Sequence, residues 1–480
     1  MLAAQAARDM RRLVSFFALL GCNHPTTETP EPDALPPDGA GAPPAMLVAR
    51  GVAGTEALYF IDDGIDRLVS AMGGQPLCDG KVFCDAPPNP AATRFPFYDF
   101  LDAHHAIWLD ADDSTIEAVD LDSGARTSLS AGVAWAPLVE TRPSWVYAFA
   151  RAGVETYWSL VTTTGYELFR SRGPAAPLER IAAVPFRAGD VPRESRVVVD
   201  GNAVAWSVGT MNGADWRNQA FLLDRDGTVR FGPTDLPTGF ALCGRQTFLA
   251  GDTFVVGVYG VNGTCGSPTT IVVDVSTRAT RQLAKSDGSF PIGLSRDGRT
   301  IFQQMDNTLV TFAAATGVAT GSTPGWLAGQ ATDHDALLLK SNEGVATWIG
   351  IHDLVDSARD FKVDAPAQVG LGDSPYGDPR DLLLSRDGSA IVLTGQRSPD
   401  YCTNVGLSVF APNVAPHELE AAACSEAIVR QPRVSDDGRW IVYLRDEAGL
   451  HVVGYDTKTG DRHRLTAAAT TERGFVLRTM

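Results

Sequence analysis

From about residue 46 to about residue 466, short apolar runs rich in Val, Ile, Phe, Tyr and Trp alternate with polar turns built on Asp-Gly or Thr-Gly. No helical period of ten or more residues interrupts them, so the pattern predicts short strands joined by turns. Three units repeat most clearly: "LSRDGRTIFQQ" (294–304), "LSRDGSAIVLT" (384–394) and "VSDDGRWIVYL" (434–444). Each has Ser-x-Asp-Gly, two residues, then an alternating apolar strand. Gly298, Gly388 and Gly438 supply the positive φ of a tight inter-strand turn. Asp297, Asp387 and Asp437 are placed to cap that turn through their own side chains, as are the serines two residues earlier.

A second element follows about 20 residues later. "VDLDSGARTSL" (119–129), "VVDVSTRATRQL" (272–283) and "VGYDTKTGDRHRL" (453–465) each read as a strand ending near Asp, a polar turn and a short outer strand. Degenerate copies, "VVDGNAVAW" (198–206), "AGDTFVVGV" (250–258) and "ATDHDALLL" (331–339), fill the gaps. The apolar strands begin near Leu58, Ile107, Val146, Val204, Phe254, Ile301, Leu338, Ile391 and Ile441, a mean step of about 48 residues. That period fits a four-stranded propeller blade, so the predicted fold is all-β: a single β-propeller of four-stranded antiparallel blades over 46–480. Nine strands are counted, but propellers typically have four to eight blades. The first unit is short and is placed to close the ring with the C-terminal end, which makes eight blades the expectation and seven the next choice. Closure removes the bare sheet edge between first and last blades.

The Ser-x-Asp-Gly units resemble the propeller repeats of the TolB-like family, the periplasmic partner of the Tol–Pal envelope system. The resemblance is good in 294–304, 384–394 and 434–444 and fades towards the N-terminus. It implies the propeller fold and an envelope setting; the motif itself is structural.

The first 45 residues have a different texture. Arg8, Arg11 and Arg12 form a basic region before "LVSFFALLG" (13–21), an apolar stretch of nine residues. That is short of the roughly 20 apolar residues needed to span a bilayer. Translation starting at Met10 would leave a compact leader. "Leu19-Leu20-Gly21-Cys22" resembles a bacterial lipobox, which implies a signal peptide over 1–21, diacylglycerol on the Cys22 sulfur and cleavage before it. Several acyl chains hold a protein to a membrane where one is marginal. The alternative is an ordinary signal peptide with an incidental cysteine. Residues 23–45 contain seven prolines and almost no large apolar residue, so 22–45 reads as a lipidated cysteine and disordered tether. Asn23, uncharged after the cysteine, leans towards the outer membrane, on its periplasmic face or at the cell surface.

Six further cysteines fall as three close pairs: Cys78 and Cys84, Cys243 and Cys265, Cys402 and Cys424, separated by 6, 22 and 22 residues. Fifteen connectivities exist, and the clustering favours pairing nearest neighbours as disulfides in an oxidising compartment. Zinc lacks C-x-x-C spacing here. A net charge of −17 repels phosphate backbones, arguing against nucleic acid as a partner.

Candidate chemistry is sparse. No G-x-S-x-G occurs; the nearest stretch, "AWSVG" (205–209), lies inside a predicted strand. His104 and His105 either face a central funnel or occupy a plain turn, and as neighbours in an extended segment they point to opposite faces. His451 and His463 are expected on a solvated outer hairpin. "DADDSTIE" (110–117) offers Asp110, Asp112, Asp113 and Glu117 to calcium but lacks EF-hand spacing, and no other cofactor is indicated; "IDDGID" (61–66) is similar. "MNGADWRNQA" (211–220) reads as a polar excursion with Trp216 and Arg217 at its centre, a candidate contact for an envelope protein or glycan. Three functions follow: a non-catalytic platform, an enzyme of lyase or glycosidase type using funnel carboxylates, or a purely structural surface protein. Carboxylates converging with a histidine or arginine in the funnel would favour the enzyme.

Overall fold

A computed structural model describes residues 42–478 except 52–56, 71–96, 134–146, 261–268, 284–291, 342–347, 365–381, 386–390, 398–403, 421–428, 467–471 and shorter stretches of up to four residues. All the described residues belong to the compact unit Leu35–Met480. The lipobox, Cys22 and the tether as far as residue 41, with Cys78, Cys84, Cys265, Cys402 and Cys424, lie outside them, whereas Ala45, at the end of the expected tether, is buried against the first blade.

Alternating apolar residues become strands buried on both faces. In the first blade, Leu47, Ala49, Leu58 and Phe60 pack with Phe100, Ala106 and Trp108 of the second, while Met46, Val48 and Ile61 pack with Trp440, Val442 and Val452 of the ninth. The period of two thus sends one set of side chains to each neighbouring sheet. Similar clusters lie between the fourth and fifth, fifth and sixth, and sixth and seventh sheets.

Among the described residues the strands form nine four-stranded antiparallel sheets. Eight are continuous in sequence: 97–128, 147–185, 191–235, 240–282, 292–324, 326–364, 382–420 and 429–464. The remaining sheet, taken as the first blade, joins Met46–Arg50, Ala57–Asp62 and Ile65–Ser70 to the C-terminal strand Glu472–Leu477. The expectation of eight blades is therefore one short. The first unit does close the ring with the C-terminal end, but it keeps three strands of its own and so remains a separate blade. The strand marked near Val146 also differs: Tyr147–Ala152 is the first strand of its blade, whereas seven of the other marks fall on the second.

The first strands of consecutive blades touch one another. Contacts run from Tyr147–Ala152 through Val191–Asp200 and Phe240–Ala250 to Ile292–Leu294. They run again from Trp326–Gln330 through Leu382–Leu384, Val429–Val434 and Glu472–Leu477 to Phe97–Phe100. These are the innermost strands and surround the propeller axis. Among the described residues no helix is long and apolar enough to cross a membrane; the one helical element is the 3-10 turn Ser357–Arg359.

The Ser-x-Asp-Gly units join first and second strands. In the sixth blade, Ser295 Oγ donates to Asp297 (2.7 Å), which accepts from the Arg299 amide (2.9 Å), and Ser295 Oγ accepts from the Thr300 amide (2.9 Å). The ninth blade repeats these bonds with Ser435, Asp437, Arg439 and Trp440. Gly298 and Gly438 have φ of 71° and 67°, as the turn requires. Asp387 and Gly388 lie outside the described residues.

His451 and His463 are buried, not solvated. His451 Nδ1 accepts from the Arg464 guanidinium (2.6 Å), and the His463 ring packs 6.0 Å from Trp440. Every residue of the third strand, Leu450–Asp456, is buried, and so is His463 at the centre of the fourth, which a reading of one hairpin in isolation misses.

Candidate functional site

Each blade continuous in sequence places its first-to-second and third-to-fourth connections at one end. The turns are bonded together there: Leu121 donates to the His104 carbonyl (2.7 Å), Ala314 to Arg299 (2.7 Å), Leu354 to Asp335 (2.8 Å) and Thr457 to Arg439 (2.8 Å). Aspartates cap the third-to-fourth turns. Asp120 accepts from the amides of Asp122 and Ser123, and Asp274 from Thr277. His104 and His105 lie on this capped face, away from the axial position considered for them. His104 Nδ1 meets Asp122 (2.7 Å) and His105 Nδ1 meets Asp102 (2.9 Å), so the neighbouring rings turn to different carboxylates.

Burial pushes the Asp102 carboxyl up, but the His104 amide and the His105 ring outweigh it and its pKa is lowered. Of the acidic segment, Asp110 is buried at a strand end, and Asp112 and Asp113 lie outside the described residues. Among the described residues no group of three His, Cys, Asp or Glu side chains is arranged to hold a metal.

The opposite face carries the second-to-third hairpins. In most blades these pair five to seven residues on each strand, but the fourth pairs ten, from Ala203↔Asp224 to Asn212↔Asp215. Its Asp224 end matches Asp120, Asp274 and Asp456 of other blades, so the added length projects at the other end. Three extra pairs at ~3.4 Å each make its paired ladder about 10 Å longer than a seven-pair hairpin. The eleven-residue strand Phe240–Ala250 packs across three strands of this blade and forms a wall with it.

Trp216 and Arg217, expected in a polar loop, sit in the second strand of this hairpin, opposite Met211 and Thr210. The Arg217 guanidinium lies 3.8 Å from the buried Asp190 carboxylate, which accepts from the Arg187 amide (2.9 Å). Cys243 falls where Phe240–Ala250 departs from regular pairing, between Leu242 and Thr247. Ser207 of "AWSVG" lies within Ala203–Asn212 and is bonded to Thr247 (2.9 Å).

The axis holds residues that no linear motif marked. Phe97 packs on Phe149 and Trp158 of the third blade, so its strand alternates Phe97 and Asp99 towards that blade, Tyr98 and Phe100 towards the first. Asp99 accepts from the Phe100 amide (2.8 Å) and feels the Arg151 charge, yet burial dominates and raises its pKa. Arg433, from the innermost strand of the ninth blade, is exposed, and its Nη1 donates to the Pro432 carbonyl (3.0 Å). An arginine two residues before Ser435, at the end of an innermost strand, is the signal that would have found it.

No protein-family model matches the chain, and no curated protein matches it. Among solved structures, a eukaryotic initiation factor aligns over 91% of this chain and 99% of its own at 11% identity, with a TM-score of 0.54. A dihydro-heme d1 dehydrogenase in complex with DHE aligns over 95% of this chain and 79% of its own at 12% identity, TM-score 0.45. A 6-phosphogluconolactonase-like protein from Bacteroides uniformis covers 75% of this chain and 94% of its own at 14% identity, TM-score 0.34. At these identities the likeness is one of fold. The chain is an all-β propeller of four-stranded antiparallel blades.

Proposed function

We propose that this protein is a non-catalytic binding platform, anchored in the bacterial outer membrane through lipid on Cys22, that docks an envelope protein. The observation that carries the reading is the projecting hairpin of the fourth blade, ten residue pairs long and buttressed by Phe240–Ala250. A closed ring holds this wall rigidly, so docking on it loses little conformational entropy. The TolB-like repeats and the lipobox supply the envelope setting.

The enzyme reading draws on Asp99 and Arg151 near the axis. Glycoside hydrolysis asks for two carboxylates roughly 5–9.5 Å apart. Glu472, on the neighbouring innermost strand, is committed to Arg50 (3.0 Å). The platform is therefore the better supported reading.

The test is a cross-linking pull-down of the full-length protein from intact cells, beside two variants. One is Cys22→Ala; the other replaces residues 209–218 with a two-residue Asn-Gly turn between Val208 and Gln219. A partner captured by the wild type and reduced at least tenfold by shortening the hairpin supports docking there. Equal capture by the shortened variant, or no partner above background, overturns it.

A further inference from the structure

The N-terminal segment joins the propeller on the capped face. In the first blade Met46 pairs with Ile61 and with Leu477, at the same end as the turn from Asp62 to Ile65. Just beyond, the Arg478 amide donates to the Ala45 carbonyl (2.7 Å). The Arg478 guanidinium donates to the Ala103 carbonyl (3.2 Å), in the first-to-second turn of the second blade. The residues that precede Ala45 therefore meet the body at this face. The long hairpin of the fourth blade projects from the other.

Exposed apolar side chains follow the same division. Among the described residues seven large ones are exposed, and five, Ile65, Val154, Val229, Val318 and Val355, stand at turns of the capped face. Val355 is the most open, at 81%. Only Val191 stands at the hairpin end, and Leu68 lies within an outer strand. Single exposed apolar residues are ordinary; their concentration on the face where the N-terminal segment joins is what calls for a cause. Residues 23–41, between Cys22 and the described body, reach about 60 Å as extended polyproline II. A lipid on Cys22 thus keeps this face within range of the bilayer. Each apolar tip alone makes a weak membrane contact, but a tether raises its effective concentration to about millimolar. With a net charge of −17 the chain gains nothing from anionic headgroups.

We infer that the capped face rests on the bilayer that holds the anchor, a zwitterionic lipid surface met by these five apolar tips. The fourth-blade hairpin then points away from that bilayer. This inference rests on the lipid anchoring proposed above and deepens it: the docked envelope protein approaches from the side remote from the anchoring membrane.

The test places the full-length lipidated protein in phosphatidylcholine vesicles that carry a photoactivatable phosphatidylcholine, and maps lipid cross-links by mass spectrometry. Cross-links are expected at the capped-face turns that hold Ile65, Val154, Val229, Val318 and Val355, and not at 208–219. Replacing Ile65, Val318 and Val355 together by serine is expected to lower the yield at least threefold, with the variant still floating on the vesicles through Cys22. All three side chains are exposed, so the fold tolerates the change. In protein that floats, cross-linking of 208–219 to the same extent, or an unchanged yield from the triple variant, overturns the inference and leaves the anchoring standing. Exchanging a third of the lipid for phosphatidylglycerol at low salt is expected to lower the yield, and a rise overturns the assignment to a zwitterionic surface. Protein that does not float at all overturns the anchoring and this inference with it.

Discussion

Asp274 shows how much a single turn residue can do at the surface. The Thr277 amide and the Ser276 and Thr277 side chains bond its carboxylate and hold its pKa at about 2, below the ordinary aspartate value. A depressed folded-state pKa contributes stability above the unfolded value and loses it as pH falls through the folded value. The fifth-blade turn is therefore expected to loosen between about pH 4 and pH 2. NMR titration of the Asp274 carboxyl checks this; a midpoint near 4 would refute it. Two glycines give a sharper contrast. Gly124 and Gly298 have φ of 73° and 71°, but a Cβ on Gly124 meets nothing within 4 Å, whereas one on Gly298 comes 2.1 Å from the Ala250 carbonyl oxygen. Gly124→Ala thus costs about 1 kcal/mol, the left-handed penalty alone. Gly298→Ala adds a backbone clash between the fifth and sixth blades and costs roughly 3 kcal/mol or more. Urea denaturation of both variants measures the difference.

The repeating element is a pair of turns, and its chemistry explains why two separate sequence patterns recur about 20 residues apart. The first-to-second turn offers a carbonyl that the third-to-fourth turn takes, as in Arg299 with Ala314 and Arg439 with Thr457. Ser295 is nearly fully buried, and its hydroxyl both donates to Asp297 and accepts the Thr300 amide. Ser295→Ala leaves that amide without its partner and is expected to cost about 1–3 kcal/mol, seen as a lowered urea midpoint with unchanged slope. This level was legible in the sequence because glycine, aspartate and serine act locally, through their own backbone and the next few residues. The blade type and the period followed from the same short-range rules. The blade count did not, because whether Met46–Arg50 starts a blade or finishes the last one depends on where Glu472–Leu477 lands, more than 400 residues away. The burial of His451 and His463 depends likewise on the blades beside them.

Across the whole molecule, blades are joined by more than apolar packing. Arg126 donates to the Val69 carbonyl, Arg151 to Phe100, Arg170 to Arg225, Arg281 to Ala315 and Arg462 to Leu419 (2.6 Å for the last), each bond crossing from one blade to the next. These arginines pair with backbone carbonyls of the neighbouring blade that the sheets' own ladders leave over. The closure of the ring uses a stronger device. Arg50 and Glu472 face each other across the strand pair that joins the two ends of the propeller, and the Arg50 Nε donates to both Glu472 oxygens (3.0 and 3.3 Å). Glu472 is fully buried, and the Arg50 guanidinium also stacks 4.3 Å from the Tyr59 ring centroid. A buried pair is costly to break from one side, because the remaining charge keeps its desolvation penalty. Glu472→Ala is expected to destabilise the fold by about 3–5 kcal/mol. Replacing both partners by methionine removes the stranded charge and should recover most of that loss. If the single and double variants unfold at the same urea concentration, the pair does not lock the ring, and closure rests on the packing of Phe475 and Leu477 against the ninth blade.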